Sequence, residues 1–440
     1  MRCFKILFIG LLVTLVWQTQ ASPWVEPDNP MLRVNLQQLA DAGYIKAPLT
    51  TFPLQWALIS DDLQRIDPTT LPAYLKLSYR YVKHYYNDAR LGRGNSHLRM
   101  MSATQTSYNL GYGSFARDNW GVYSSYESTD ANYSYRLNAN YAKQADGSKD
   151  FNYQGSYLAM AQGQYTIAAG ELDRWWGPGW QSSLTWSQNS YPIPAISVSR
   201  FGLNNLVLGD WSIISLVGKL DSVSPNNYLW GTRAMTHPVQ WLELGGSFQS
   251  YWGASDKQPY QEFPDVVVDN EDSAKRQTSL DMHIQLPTVA EVSQGIYGQV
   301  VSGQSQTELS SYLYGWESSW FVLGQQAHLI FERQELRDSY QLSNDYDPNL
   351  MVDGGLAIND QRFESLWSAG GYLLFSNNHQ LQLFVHRINP QTDSTYYQTS
   401  LEYQLPLWKG QLHLGGDYRS QRMNGDRLGM WIGWDFRFSD

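Results

Sequence analysis

The sequence has one cysteine, Cys3, and little charge: Asp, Glu, Lys and Arg make up 16% of its 440 residues. A lone cysteine excludes an internal disulfide framework and a cysteine-type zinc site. No apolar run reaches the about 20 residues that a membrane-crossing helix requires. Catalytic signatures are also missing: there is no GxSxG elbow, no HExxH and no phosphate loop, and the 8 His are scattered. Glu171 and Asp173 fall on one strand face and imitate a carboxylate pair, but side chains two apart are ordinary in a polar barrel lumen. No enzyme and no cofactor are expected. The acidic group Glu262, Asp265, Asp269, Glu271 and Asp272 lacks the ligand spacing of an EF-hand loop, so a solvated loop is expected there and no metal. Arg2 and Lys5 precede an apolar core from Ile6 to Trp17 and a small-x-small site ending at Ala21, the layout of a cleaved signal peptide over residues 1–21. Losing those two cations takes the net charge from −10 to −12, which argues against nucleic acid as a partner.

What the chain does have is aromatic surface with a polar edge: 18 Trp and 30 Tyr against 15 Phe. Such rings gather where apolar meets wet, at membrane interfaces, protein interfaces and sugar-binding surfaces. Residues 22–94 carry helix signals. Asn29 caps Pro30; Leu32, Leu36 and Leu39 follow at helical spacing; Gly43 stops the run. Further helices are expected from Ser60 and from Thr70. We expect this region to form a periplasmic helical subdomain that packs on the barrel mouth.

From residue 95 to 440 the period becomes two. Tyr133, Tyr135, Leu137, Ala139 and Tyr141 alternate with polar residues, and Met430, Ile432, Trp434, Phe436 and Phe438 share one face at the end of the chain. Aromatic, alternating strands in a secreted chain without disulfides predict an all-β transmembrane barrel of about 18 antiparallel strands. The connections fall into two classes. Short turns are expected at Asp210, His237-Pro238, Asn377-Asn378 and Lys409-Gly410. Long outer connections are expected at 172–200, 253–276 and 337–363.

The first long connection contains ELDRWWGPGWQSS, Glu171 to Ser183. Gly177-Pro178-Gly179 breaks the strand and gathers Trp175, Trp176 and Trp180, with Asp173 and Arg174 at the foot. Two uses are open. The indoles could stack on sugar rings while Asp173 and Arg174 bind hydroxyls and carboxylates, or the segment could fold into the lumen as a wedge; we favour the wedge.

ELDRWWGPGWQSSLTWSQNSYPIPAISVSR, together with SPWVEPDNPMLRVNLQQLADAGYIKAPLTTFPLQWALI, resembles the capsule assembly Wzi family of outer-membrane proteins. The DRWWGPGW core, Pro192-x-Pro194 and Arg200 carry most of the likeness. The resemblance implies a barrel with a periplasmic helical bundle in the outer membrane of a Gram-negative bacterium. It also implies a lectin that binds and helps organise capsular or extracellular polysaccharide, with Asp173, Arg174, Trp175, Trp176, Trp180 and Arg200 as candidate binding residues. Outer-membrane lipid and the barrel assembly machinery are the other expected partners. The alternative is a channel or export pore for saccharides or small solutes.

Overall fold

A computed structural model describes residues 24–90, 95–105, 111–130, 132–143, 149–188, 191–219, 227–253, 275–302, 309–336, 357–358, 361–390, 394–420 and 425–439. The leader at 1–21, the acidic group at 262–272 and most of the two longest outer connections lie outside them.

The chain closes into an antiparallel barrel of eighteen strands. They are β1 (Asn95–Ala103), β2 (Trp120–Thr129), β3 (Tyr133–Lys143), β4, β5 (Tyr165–Glu171), β6 (Pro194–Asn205), β7 (Gly209–Lys219), β8 (Asn227–Val239) and β9 (Leu242–Gly253). The second half holds β10 (Lys275–Val289), β11 (Val292–Ser302), β12 (Leu309–Val322), β13 (Gln325–Leu336), β14 (Gln361–Leu374), β15 (Gln380–Pro390), β16 (Tyr396–Leu407), β17 (Gly410–Ser420) and β18 (Arg427–Ser439). β4 is broken: Lys149–Asn152 and Tyr157–Gln162 both pair with β3, on either side of a gap in the ladder. β18 pairs with β1, from Trp431 opposite Ala103 to Ser439 opposite Asn95, and this seam leaves no open edge.

Alternation sets the two faces of the wall. On β3, Tyr133, Tyr135, Leu137 and Tyr141 are exposed, whereas Ser134, Asn140 and Ala142 are buried. On β18, Met430, Ile432 and Phe438 are exposed and Trp431 is buried. The apolar residues therefore form an outer belt and the polar ones line the lumen, as a bilayer demands of a barrel.

The turns at one mouth are short. Ala290 and Glu291 join β10 to β11 with φ of 50° and 64°, and Val289 pairs across them with Val292, the two-residue left-handed reversal that suits the twist of a hairpin. Two expected turns move slightly. Asp210 and His237-Pro238 lie within β7 and β8, and the chain reverses just beside them at 206–208 and 240–241. Asp210 still serves its turn, because its carboxylate accepts a 2.6 Å hydrogen bond from the Asn204 amide. β6 begins at Pro194, ahead of the expected 201, since a proline is tolerated as the first residue of a strand. The first long connection is thereby shortened to 172–193. β1 stops at Ala103, and the residues described between it and β2 turn inward: the Tyr112 amide donates to the Trp180 carbonyl at 2.8 Å.

Three helices sit at the short-turn mouth. α1 (Pro30–Asp41) is capped by the Asn29 side chain, which accepts from the Leu32 amide at 2.9 Å, and Gly43 ends it at a φ of 79°. α2 (Trp56–Arg65) starts four residues before Ser60, and α3 (Ala73–Arg90) three after Thr70. Leu36 and Leu39 of α1 pack on Leu58, Ile59 and Leu63 of α2 and Leu75 and Val82 of α3. Met31 and Val34 instead face Tyr297, Val301, Leu313 and Ile330 of the barrel wall. One helix thus joins the helical cluster to the lumen.

Candidate functional site

The connection from β5 to β6 folds into the lumen. Trp175, Trp176 and Trp180 are 0%, 0% and 1% exposed, so none of the three presents an indole face to solvent. Trp175 and Trp176 pair antiparallel with Phe52 and Thr51 of the N-terminal segment. Trp176 packs on Trp186 with ring centroids 5.2 Å apart, while the Trp175 indole N–H donates to the Gly179 carbonyl at 2.9 Å. Gly179 has no room for a side chain, because a Cβ there would stand 2.1 Å from the Ser182 carbonyl oxygen.

Buried ionisable groups hold this wedge. Arg33 reaches from α1 and donates to the carbonyls of Pro178 at 2.7 Å and Gly179 at 2.8 Å, with its guanidinium 4.0 Å above the Trp180 ring. From the wall, Glu332 accepts from the Trp180 amide at 2.8 Å and from the Tyr297 hydroxyl at 3.0 Å. Glu317 accepts from the Trp180 indole N–H and stands 2.7 Å from His283 Nε2. The N-terminal segment is tied to the wall separately. Glu243 accepts from the amides of Leu49 and Thr50 at 3.0 and 2.8 Å, and the buried pair Arg233–Asp281 at 2.7 Å lies beside Thr50. A buried charge that is paired and hydrogen-bonded costs much to strip of one partner, so these contacts fix the wedge in one arrangement.

Asp173 and Arg174 diverge. Arg174 is 2% exposed, donates to the Leu172 carbonyl at 3.0 Å and lies over the Trp186 ring. Burial pushes its pKa down to about 10, with Asp173 opposing, so it stays charged at neutral pH. Asp173 pairs with Arg117 at 3.0 Å and lines a cavity of about 820 Å³. Arg200 is not part of this group. It is on the outer face of β6, exposed, between the rings of Tyr165 at 5.1 Å and Trp211 at 5.5 Å. Strand alternation puts it on the side of Ile196 and Val198, where a long cation extends along aromatic rings at the membrane interface. The structure therefore separates Arg200 from the tryptophans it was grouped with. Arg33, Arg117, Glu317 and Glu332 were not singled out in the sequence; the only signal was an inward polar position on a strand or helix.

The chain matches the family model for the capsule assembly protein Wzi over residues 89–350. An uncharacterised 55.8 kDa protein of the cps region of Klebsiella pneumoniae is 25% identical over 325 residues, 69% of this chain and 62% of that one, so this chain spans less than two thirds of that relative. Among solved structures, Wzi of Escherichia coli, described as an outer-membrane protein involved in group 1 capsule assembly and a carbohydrate-binding β-barrel, superposes with a TM-score of 0.78 at 18% identity, over 94% of this chain and 99% of that chain. OpdK of Pseudomonas aeruginosa gives a TM-score of 0.50 at 10% identity, over 79% and 98%. A closed barrel with an apolar outer belt, a lumen filled by an inward connection, and a family match over more than half its length together mean that this chain belongs to the capsule assembly Wzi family of Gram-negative outer-membrane β-barrels.

Proposed function

We propose that the protein binds capsular or related extracellular polysaccharide and helps organise it at the cell surface, with its helices on the periplasmic side and its long connections outside. The observation that carries this reading, beyond family membership, is the filled lumen. A barrel of this size would otherwise enclose an aqueous channel, and here Trp175, Trp176 and Trp180 are buried between α1 and the wall. That filling counts against the channel alternative. In this reading Arg174 and the three tryptophans hold the site in place, Asp173 with Arg117 takes part in binding, and Arg200 faces lipid. The outer belt meets outer-membrane lipid, and the barrel assembly machinery inserts the chain.

Cells lacking the protein should shed polysaccharide into the medium, and the purified barrel should pass no steady current in planar bilayers. Unchanged retention together with a large stable conductance would overturn the proposal in favour of a pore. A tag placed at 254–274 should be accessible on intact cells; accessibility only after permeabilisation would invert the orientation.

A further inference from the structure

The cavity that Asp173 lines runs between α3 and the wall formed by β1, β2, β3 and β18. Its volume of about 820 Å³ lies within the range of small-molecule sites. It begins at the short-turn mouth, where Asn378 and Lys409 form its rim, and ends at Arg117 and Tyr191 beside the wedge.

Its lining is chemically specific. Six carboxylates face it alongside six guanidinium or ammonium groups, so its formal charge balances apart from histidines. The deeper charges are already partnered. Arg99 donates to Asp435 at 3.0 and 3.2 Å, with His97 on the other carboxylate oxygen; Arg117 donates to Asp173 at 3.0 Å and to the Gln188 carbonyl at 2.7 Å. Tyr191 and Tyr123 both donate to Asp118. Aromatic rings stand among these groups: Tyr81 and Tyr85 of α3 lie 5.2 Å apart, and Arg117 sits over Tyr191. A site built to trap an anion keeps a surplus of cations. This one has none, and offers fixed acceptors and donors beside apolar ring faces, the combination that recognises hydroxyl groups and the C–H faces of sugar rings.

We infer that this cavity, with Asp173 and Arg117 at its inner end, is an interior saccharide site, which takes a short neutral oligosaccharide segment from the helical mouth rather than from the outer loops. The inference rests on the polysaccharide-binding reading above and adds to it a ligand class and a side of entry.

The test uses the full-length protein in detergent, titrated with maltohexaose, a galactan hexasaccharide and an oligogalacturonate of the same length. At least one neutral probe should bind, with an affinity that changes less than about twofold between about 0.05 and 0.5 M salt, since screening weakens only net charge attraction. Ser125 points into the cavity from β2, and Ser125→Trp projects an indole across it; binding should fall at least about tenfold, as when a ligand is obstructed. Tyr85→Ala, on α3 and outside the wall, should weaken binding while leaving heat-modifiable gel migration normal, which keeps the test valid if Ser125→Trp fails to assemble. Binding of the oligogalacturonate alone, with collapse at high salt, would make the cavity an anion trap and overturn the inference. Polysaccharide retention on cells with undiminished oligosaccharide binding in both variants would overturn this site alone. Absence of any saccharide binding by the wild type, in solution and on cells, would overturn both readings.

Discussion

The wall and the filling of this barrel use the same residue types under different rules. On the wall, Trp241 and Trp408 stand at the short-turn mouth, 55% and 83% exposed, and each needs only the outward position of its strand or turn. In the filling, Trp175, Trp176 and Trp180 are closed off on every side, and each depends on partners far along the chain: Arg33 and Gly179 are 146 residues apart, Trp180 and Glu317 137. Wall aromatics are set by local periodicity and tolerate exchange among amphipathic rings. Filling aromatics are set by shape and by matched buried charges.

Four substitutions press on this difference. The largest effect is expected for Trp176→Ala, which empties a packed volume against Trp186 and the Gly231 backbone; about 3–5 kcal/mol should be lost. Urea midpoints for refolding into lipid vesicles measure it, and an unchanged midpoint would mean that the wedge is loosely packed. On the wall, Leu280→Arg puts a cation on the outer face of β10, where Leu280 is 64% exposed to the surroundings of the barrel; a loss of about 2–4 kcal/mol is expected near the bilayer midplane. Loss only in lipid, with none in detergent, would identify the belt as the cause. Arg33→Lys keeps the charge but not the fork that spans two carbonyls, and about 1.5–3 kcal/mol is expected. The effect should appear as faster hydrogen exchange in α1 with the strands unaffected; equal acceleration throughout would show that the helices and the wall are one cooperative unit. The smallest effect belongs to Arg200→Ala, about 0.5–1 kcal/mol for an exposed cation over the rings of Tyr165 and Trp211. Polysaccharide retention should be unchanged, and a clear loss would return Arg200 to the binding surface.

The wall was largely legible in the sequence because its signal is local. Period-two alternation in β3 and β18 and the two classes of connection needed no partner to be recognised. The errors came where local signals conflicted. Pro192 and Pro194 read as loop, which hid the start of β6 and left Arg200 in a connection. Tyr112 and Phe115 follow β1 and point into the lumen, where Phe115 stacks on His413 at 4.0 Å, and no local pattern marked them as inward. The wedge was visible as a chain break with clustered indoles, and Asn29, Pro30 and Gly43 marked α1 from end to end. Its anchors were not. Glu317 and Glu332 look like any inward carboxylate of a barrel strand, and only the arrival of the Trp180 backbone and indole gives them a role.

The meeting of α1 with the wedge has a mechanical consequence. α1 enters from the mouth that carries both described ends of the barrel, while the wedge descends from the opposite mouth between β5 and β6. Their contact through the Arg33 fork is a strut inside a stiff cylinder, linking elements that enter from its two mouths. A pull on the outer connection by a long tethered polymer would be carried along Pro178 and Gly179 to α1, and from there to α2 and α3 through Leu36 and Leu39. The barrel would thus bear load across the bilayer.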